Sequence, residues 1–553
     1  MIRHLIVVTF RSFTRNKSSF LINLLSLSAG LVGVLLIMLW INDELQKDKF
    51  YANDNLLFQV VNQWKEDDQI NTSYFTHGPL AAAIKEEIPE VKAAANVVHW
   101  FDKFNISVNE KSFSENGFYV GKEFFDVFGF KLKIGNVKGV FQKPNSVAIS
   151  EKLAIKYFQN PENAIGKTIK LENQKELTIS SVFANLPQWS TLQFDFLMSF
   201  EDFVAQPQNA HRNKWETTGP YTMLTLTKGA DKQQVANKIK HVVQSHFKEP
   251  LELRVVLKPF SEVYLYGQYD KTGTLVGGRI QYVKLFGIIG VFLLLISCFN
   301  FISLSVAQAT KRIKEVGIKK NLGASRLELA IQYFFESSFL CFLALMSALG
   351  IVYLFLPTFS RFTEKNLDGL LSIETIGVLT GLIGIMSLMA GAYPAFYLSS
   401  FKPLKILKGD ILPGKGGEGI RKILVVTQFA ISVTLMIGVT VVYQQIAFVQ
   451  NTNLGYKKDN LVQVILNLEN RDQITAFIEE VKQLSGVINI SSGNTPINHQ
   501  NRTSEISWKG KDENRETAFY FYGAHFDLLE TLGIQIKRGG IFQEILVMKQ
   551  TRC

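Results

Sequence analysis

Few residues in this 553-residue chain stand in patterns that could do chemistry. "NAIGKT", residues 163–168, has the tail of a phosphate-binding loop, but that pattern needs Gly where Pro161 stands. "PGKGGEG", residues 413–419, lacks the Ser or Thr after Lys and a strand before it, and reads as a flexible connector. Neither a HExxH metalloprotease helix nor a GxSxG nucleophile elbow occurs. The eight histidines show no metal-ligand spacing; His241 and His246, five apart on an expected helix, read as solvated. Cys298 and Cys341 fall inside apolar runs and Cys553 ends the chain, which leaves no disulfide framework. The expectation is a protein that is no enzyme, with no catalytic residue, metal or cofactor of its own.

The elements around these residues explain why. Residues 18–42, 285–310, 337–360, 375–401 and 423–456 carry no Asp, Glu, Lys or Arg. About 20 apolar residues, rising roughly 1.5 Å each, cross a hydrocarbon layer about 30 Å thick, so five transmembrane helices are expected. The first run continues past the small residues Ser28 and Ala29 through "GLVGVLLIMLWI", too long for a cleaved signal, and is read as an anchor.

The net charge of +11 is a topology signal. Residues 1–19, 311–326 and 398–422 carry +4, +5 and +4, leaving −2 for everything else. Alternation through five spans puts all three on one side, which the positive-inside rule makes cytoplasmic, and this excludes a nucleic-acid reading. The stretch "MIRHLIVVTFRSFTRNK" is amphipathic enough to lie along the inner membrane surface.

Between the first two spans lie about 240 residues with the texture of a folded domain. "NLLFQVVNQW", "NSVAIS", "KELTISSVFANL", "QFDFLMSF", "YTMLTLT" and "ELRVVL" read as strands. "SEKLAIKYF", with Ser150 as N-cap, and "DKQQVANKIKHVVQSHF" read as helices. The expected fold class is an integral membrane α-helical protein with an α+β extracytoplasmic domain of two lobes and the start of a second copy.

That second copy is expected from an internal repeat. "YANDNL" from Tyr51 returns as "YKKDNL" from Tyr456, and "DVFGFKLKIG" from Asp126 returns as "ETLGIQIKRG" from Glu530, at offsets of 405 and 404. An intact second unit would make a chain of roughly 800 residues with eight helices, so the sequence reads as cut short or frame-shifted before "FQEILVMKQTRC".

"KRIKEVGIKKNLGAS", residues 311–325, interleaves Ile313, Val316, Ile318 and Leu322 with charge at the spacing of a short amphipathic helix that Gly323 ends. Such a helix suits docking on a partner protein or lying on the membrane. Two polar residues sit in the spans. Asn300 reads as an interhelical hydrogen-bond partner, and Glu336, near the cytoplasmic end of the third span, as structural because it reaches headgroups or a basic side chain.

These motifs resemble the permease subunits of MacB/FtsX-like ABC transporters. The resemblance rests on "NFISLS" (300–305), "RIKEVGIKKNLGAS" (312–325), "QYFFES" (332–337), "AGAYPAFYLSSFKPLKILKG" (390–409) and "RSFTRNK" (11–17), and extends to about residue 540. The repeat resembles the duplicated, eight-helix branch of that family.

The resemblance implies these domains: an N-terminal helix (1–19), a first span (20–41) and a MacB-like periplasmic core domain (42–284). An FtsX-like permease core (285–410) follows, with spans at about 285–308, 331–357 and 376–398 and a coupling helix at 309–325. A linker (411–422), a fifth span (423–446) and an incomplete second domain (447–553) complete it. It further implies a cytoplasmic ABC ATPase dimer as partner, holding the ATP and Mg, whose closure is passed through the membrane by mechanotransmission. A periplasmic adaptor or outer-membrane partner is also compatible with the family. Glu315, Val316, Gly317, Ile318, Leu322, Gly323, Ala324 and Ser325 would form the ATPase-coupling element. The implied location is the inner (plasma) membrane, with the N-terminus cytoplasmic and the large domain outside. The implied function is export or efflux of a peptide, toxic compound or lipoprotein; the alternative is a non-transporting regulator of a cell-wall hydrolase, or a peptide sensor.

Overall fold

The computed structural model describes residues 2–66, 69–100, 103–108, 111–367, 377–388, 417–464, 471–493, 497, 501–503, 506–510, 519–525 and 527–538. The motif at 390–409, most of the linker, His499, Cys553 and the final "FQEILVMKQTRC" lie outside the described residues, as does the side chain of Ile313. Contacts divide the chain into one unit to Met436 and another from Ile437.

In the first unit α1 (Ile2–Arg15) turns at Asn16 into α2 (Lys17–Gln46). Leu27, Leu31, Leu35 and Leu39 recur every four residues along α2 and are buried, because that spacing stacks them on one helix face. They pack against Cys298 and Phe301 of α9 (Ile280–Asn321) and Leu340, Ala344 and Ala348 of α10 (Arg326–Thr363). Three helices long and apolar enough to cross a membrane thus form one bundle. The fourth predicted span coincides with the short apolar helix α11 (Gly377–Leu388), the rest of it lying outside the described residues.

The α+β domain is built on one large sheet. Its strands are β1 (Leu57–Glu66), β2 (Gln69–Ser73), β3 (Val91–Val98), β4 (Lys103–Val108), β5 (Lys111–Val120) and β6 (Leu132–Ile134). They continue with β7 (Ser146–Ser150), β8 (Thr168–Leu171), β9 (Lys175–Phe183), β10 (Phe196–Ser199), β11 (Tyr221–Leu226) and β12 (Leu253–Pro259). The order β10-β7-β9-β8-β4-β5-β3-β11-β1-β12 has a further β10–β5 pairing, so six strands close into a ring and the rest continue as an open sheet. β5 belongs to both lobes: within the ring residues 111–116 pair with β4 and 117–120 with β10, while Tyr119 and Val120 also pair with Val98 and Val97 of β3 in the open sheet. Gly117 stands at the switch because any Cβ there would fall 2.1 Å from the Phe196 ring.

The ring lobe buries Ile106, Val147, Ile149, Leu177 and Phe196 beneath α5 (Glu151–Phe158), which Ser150 caps by accepting from Leu153 N at 3.1 Å. The open lobe is covered by α3 (Leu80–Glu87) and α7 (Lys232–Gln244), the latter capped by Asp231. An aromatic core gathers Tyr51, Phe124, Phe128, Phe183, Phe194 and Phe260. The six segments expected as strands form β1, β7, β9, β10, β11 and β12. β3, "VKAAANVV", escaped the sequence reading because its alanines have low strand propensity; burial on both faces overrides this.

The second unit contains the part of α12 (Gly417–Asn451) from Ile437 on, then α13 (Arg471–Lys482), the strand pair Asn501–Thr503 with Phe519–Phe521, and α14 (Leu528–Thr531). Its local geometry repeats that of the first unit. Gly493 bridges Ala524 and His525 N donates to Ser492 O at 2.8 Å, as Val97 pairs with Val120 and Gly121 N donates to Asn96 O at 2.8 Å. Ala524 and His525 stand 404 positions after Val120 and Gly121. Gly533 (φ +64°) ends α14 as Gly129 (φ +68°) ends the short helix Phe124–Phe128.

Candidate functional site

The segment expected to be a separate coupling helix is instead the last turns of α9, which runs unbroken for 42 residues. Nothing between Ser305 and Val316 breaks it: there is no Pro or Gly, and the residues are good helix formers. The helix stops at Gly323 (φ +96°), where Gly323 N donates to Lys320 O at 3.1 Å and Ala324 N to Lys319 O at 3.0 Å. These two bonds satisfy the last carbonyls, and the left-handed glycine reverses the chain. Ser325 then opens α10 with a capping box: its hydroxyl accepts from Glu328 N at 3.2 Å, and Glu328 accepts from Ser325 N at 2.9 Å.

This hairpin sorts the predicted coupling residues. Val316 is buried against Leu329 and Tyr333, and Gly317 is buried beside it, so neither is available to a partner. Ile318 and Leu322 are 60% and 83% exposed, and Leu327 of α10 is 69% exposed. Glu315 is spent on Lys319, 2.8 Å away on the same helix. Gly323, Ala324 and Ser325 shape the turn. The exposed apolar stripe is therefore Ile318 and Leu322, extended across the turn by Leu327, and Val316 is the hairpin's core. The sequence pattern missed this because a helical stripe does not say which side faces its own neighbour.

Both polar residues of the spans have partners. Asn300 Nδ2 donates to Ser26 Oγ at 2.5 Å, joining α9 to α2. Glu336 accepts from Ser12 Oγ at 2.8 Å, tying α1 to α10, and Phe13 stacks on Phe339 at 6.3 Å. Ile6, Val7 and Phe10 of α1 remain exposed. His246 lies beyond the end of α7 and stacks on Trp215 at 3.9 Å, so the His241–His246 spacing is not on one helix. Gly166 and Lys167 lead into strand β8 and not into a helix N-terminus, which removes the phosphate-loop geometry.

A second constellation, at the domain end of the bundle, was not singled out from the sequence. Glu44 in the last turn of α2 has no exposed surface. It accepts from Arg279 Nη2 at 3.1 Å and Nε at 3.3 Å, from Tyr264 Oη at 3.2 Å, and pairs with Lys365 Nζ at 2.6 Å. Lys365 also bonds Asp43, and lies 5.3 Å over the Trp40 ring. The hydrogen bond to Glu44 holds the Arg279 guanidinium above its ordinary pKa, outweighing its burial. An unpartnered buried carboxylate would be costly; here donors from three other segments offset its desolvation. The available signal was charge: Asp43 and Glu44 end the first apolar run, Arg279 precedes the second and Lys365 follows the third.

Just past α2, the chain is latched to the α+β domain. Asp48, buried with φ +59°, accepts from Thr191 N at 2.8 Å and Thr191 Oγ1 at 2.5 Å, and its own N–H donates to Trp189 O at 3.0 Å. Lys47 Nζ donates to Gln188 O at 3.1 Å. Burial pushes the Asp48 carboxyl up to about 6, against the pull of its Thr191 hydrogen bonds.

A bundle of helices apolar enough to cross a membrane, an α+β domain inserted between the first two, and a capped hairpin at the opposite end define a membrane protein with a large inserted domain. Sequence models agree: the MacB-like periplasmic core domain matches residues 20–242 and the FtsX-like permease C-terminal domain matches residues 287–403. The chain belongs to the MacB/FtsX-like ABC permease family, whose members work with ABC ATPases.

Among its relatives are proteins named macrolide export ATP-binding/permease protein MacB. That of Neisseria gonorrhoeae is 22% identical over 303 residues, covering 53% of this chain and 43% of the relative. That of Syntrophobacter fumaroxidans is 24% identical over 143 residues, covering 25% and 19%. This chain thus spans less than half the length of either. An uncharacterized membrane protein of Buchnera aphidicola is 24% identical over 378 residues, covering 61% of this chain and 83% of that protein. Among solved structures, a permease domain from Porphyromonas gingivalis matches 38% of this chain at 22% identity and TM-score 0.34, covering 93% of that domain. The periplasmic region of MacB from Actinobacillus actinomycetemcomitans matches 37% at 16% identity and TM-score 0.27, covering 88% of that region.

Proposed function

We propose that this chain is the membrane subunit of an ABC transporter, coupling ATP hydrolysis in a separate cytoplasmic ATPase to movement of its extracytoplasmic domain. The observation that carries the reading is the hairpin: Ile318 and Leu322 are exposed at the end of a continuous helix and backed by the buried Val316–Leu329–Tyr333 core. An apolar pair on a rigid turn can be pushed as a unit, provided that the ATPase contacts it differently in its nucleotide states. The +5 charge of residues 311–326 supports placing the hairpin in the cytoplasm. ATP and Mg are held by the ATPase, and this chain contributes docking and transmission.

The cargo is acted on outside the cytoplasm, in the class of peptides, toxic compounds or lipoproteins. Residues 447–553 belong to a second copy of the extracytoplasmic domain, a reading supported by the bridge and glycine geometry shared by the two units.

The test is purification of the chain from native membranes in mild detergent, beside an Ile318→Asp/Leu322→Asp variant. Recovery of an ABC ATPase with the wild type and its loss from the variant, reproduced with the purified ATPase, supports the reading. Equal recovery with both, or none with either, rejects it.

A further inference from the structure

α9 is one rod, roughly 60 Å long at about 1.5 Å per residue. One end carries the exposed hairpin residues; at the other, Arg279 meets Glu44. Glu44 is where four segments converge: α2 itself, Arg279 at the start of α9, Tyr264 in the chain leading to it, and Lys365 beyond the end of α10. One turn further along, Lys47 and Asp48 hold the 188–191 loop of the α+β domain.

The remaining contacts between α2 and α9 are of a different kind. They are mostly side chains packed along the bundle, with the Asn300–Ser26 bond nearer the hairpin. Packed side chains couple the two helices along their length, whereas charge-assisted hydrogen bonds to a carboxylate with no exposed surface are directional and costly to break one at a time. A displacement of α9 along its axis reaches the domain along the chain that leads into it, and reaches α2, and from there the 188–191 loop, most directionally through the carboxylate of Glu44.

We propose that Glu44 is the transfer point of the stalk, a positioning residue that makes α2, α9 and the chain beyond α10 move together and passes that movement through Asp48 to the α+β domain. The inference rests on the coupling reading above for its role, and on the Glu44 geometry alone for the existence of the joint.

Two measurements on the full chain in lipid nanodiscs test it, comparing wild type with Glu44→Gln, which keeps the shape and removes the charge. In the chain alone, hydrogen exchange should quicken about tenfold in residues 43–50, 279–284 and 186–192 together, because one joint holds all three. Quickening confined to 43–46 overturns the joint.

With the purified ATPase, Mg and a non-hydrolysable ATP analogue, wild type should change its exchange at both 318–325 and 186–192. Glu44→Gln should keep the first response and lose the second, which a purely stabilising residue would not do. A full response at 186–192 in the variant overturns the transfer role. Should wild type fail to bind the ATPase, the coupling reading fails with the transfer role, and the first measurement still decides the joint. Arg279→Gln, on the partly exposed side of the cluster, gives the same pattern more weakly and serves if Glu44→Gln does not fold.

Discussion

Gly30 of α2 lies so close to Ser297 of α9 that a Cβ on Gly30 would fall 1.7 Å from Ser297 Oγ. The two helices meet here with no room for a methyl group, while Ser297 Oγ donates to Leu293 O at 2.9 Å within its own helix. Gly30→Ala should cost about 1–3 kcal/mol by overpacking. Ser297→Gly in that background should restore most of the loss, read as the thermal midpoint of the purified protein.

Val316 and Ile318 are two residues apart and should respond oppositely. Val316→Asp buries a carboxylate without a partner between Leu329 and Tyr333 and should cost about 3 kcal/mol or more. Ile318→Asp, on the exposed side, should stay within about 0.5 kcal/mol. It should nonetheless weaken ATPase binding about tenfold, a change of about 1.4 kcal/mol. Thermal unfolding and titration with the ATPase separate the two effects.

Asp48 should make the latch sensitive to pH. Its carboxyl is raised to about 6 by burial, whereas an unfolded Asp titrates near about 3.9. The folded chain thus holds a proton that the unfolded chain has lost. This stability is fully present below about pH 4 and is lost as pH rises through about 6, amounting to about 3 kcal/mol. Lys47 draws the value down and Asp54 pushes it up, both less than burial does. Asp48→Asn can still accept from Thr191 N, and should flatten this part of the slope. The difference between wild-type and variant unfolding from pH 4 to 7, followed by tryptophan fluorescence, isolates it.

Gly129 and Gly533 hold equivalent left-handed positions, but their surroundings differ. A Cβ at Gly129 would meet Ala52 Cβ at 3.0 Å, which is fixed to the backbone; at Gly533 it would meet Lys457 Cδ at 2.9 Å, which can swing away. Both alanine variants lose about 1 kcal/mol to the backbone conformation, and Gly129→Ala should lose about 1 kcal/mol more. Limited proteolysis with mapped fragments reads the two units separately.

Much of this architecture was legible in the residues. Long uncharged runs, strands with turn residues at their ends, Ser150 as a cap and Gly323 as a stop are local features, governed by solvation and backbone sterics within a few positions. The repeat was legible too, since two patterns at nearly one offset need no folding to be seen. Less legible was the hairpin, where one apolar stripe held both the residues that stay exposed, Ile318 and Leu322, and the buried one that supports them, Val316.

What the sequence by itself determined is therefore the membrane spans, the α+β character of the inserted domain, the turn at Gly323 and the family. Only tertiary structure decided that Val316 faces inward while Ile318 and Leu322 face out, that β5 closes one lobe and opens the other, and that Asp43, Glu44, Arg279 and Lys365 meet. The reason is separation along the chain: Glu44 lies 235 residues from Arg279 and 321 from Lys365. Such charges look like ordinary span-ending residues until folding removes the water between them.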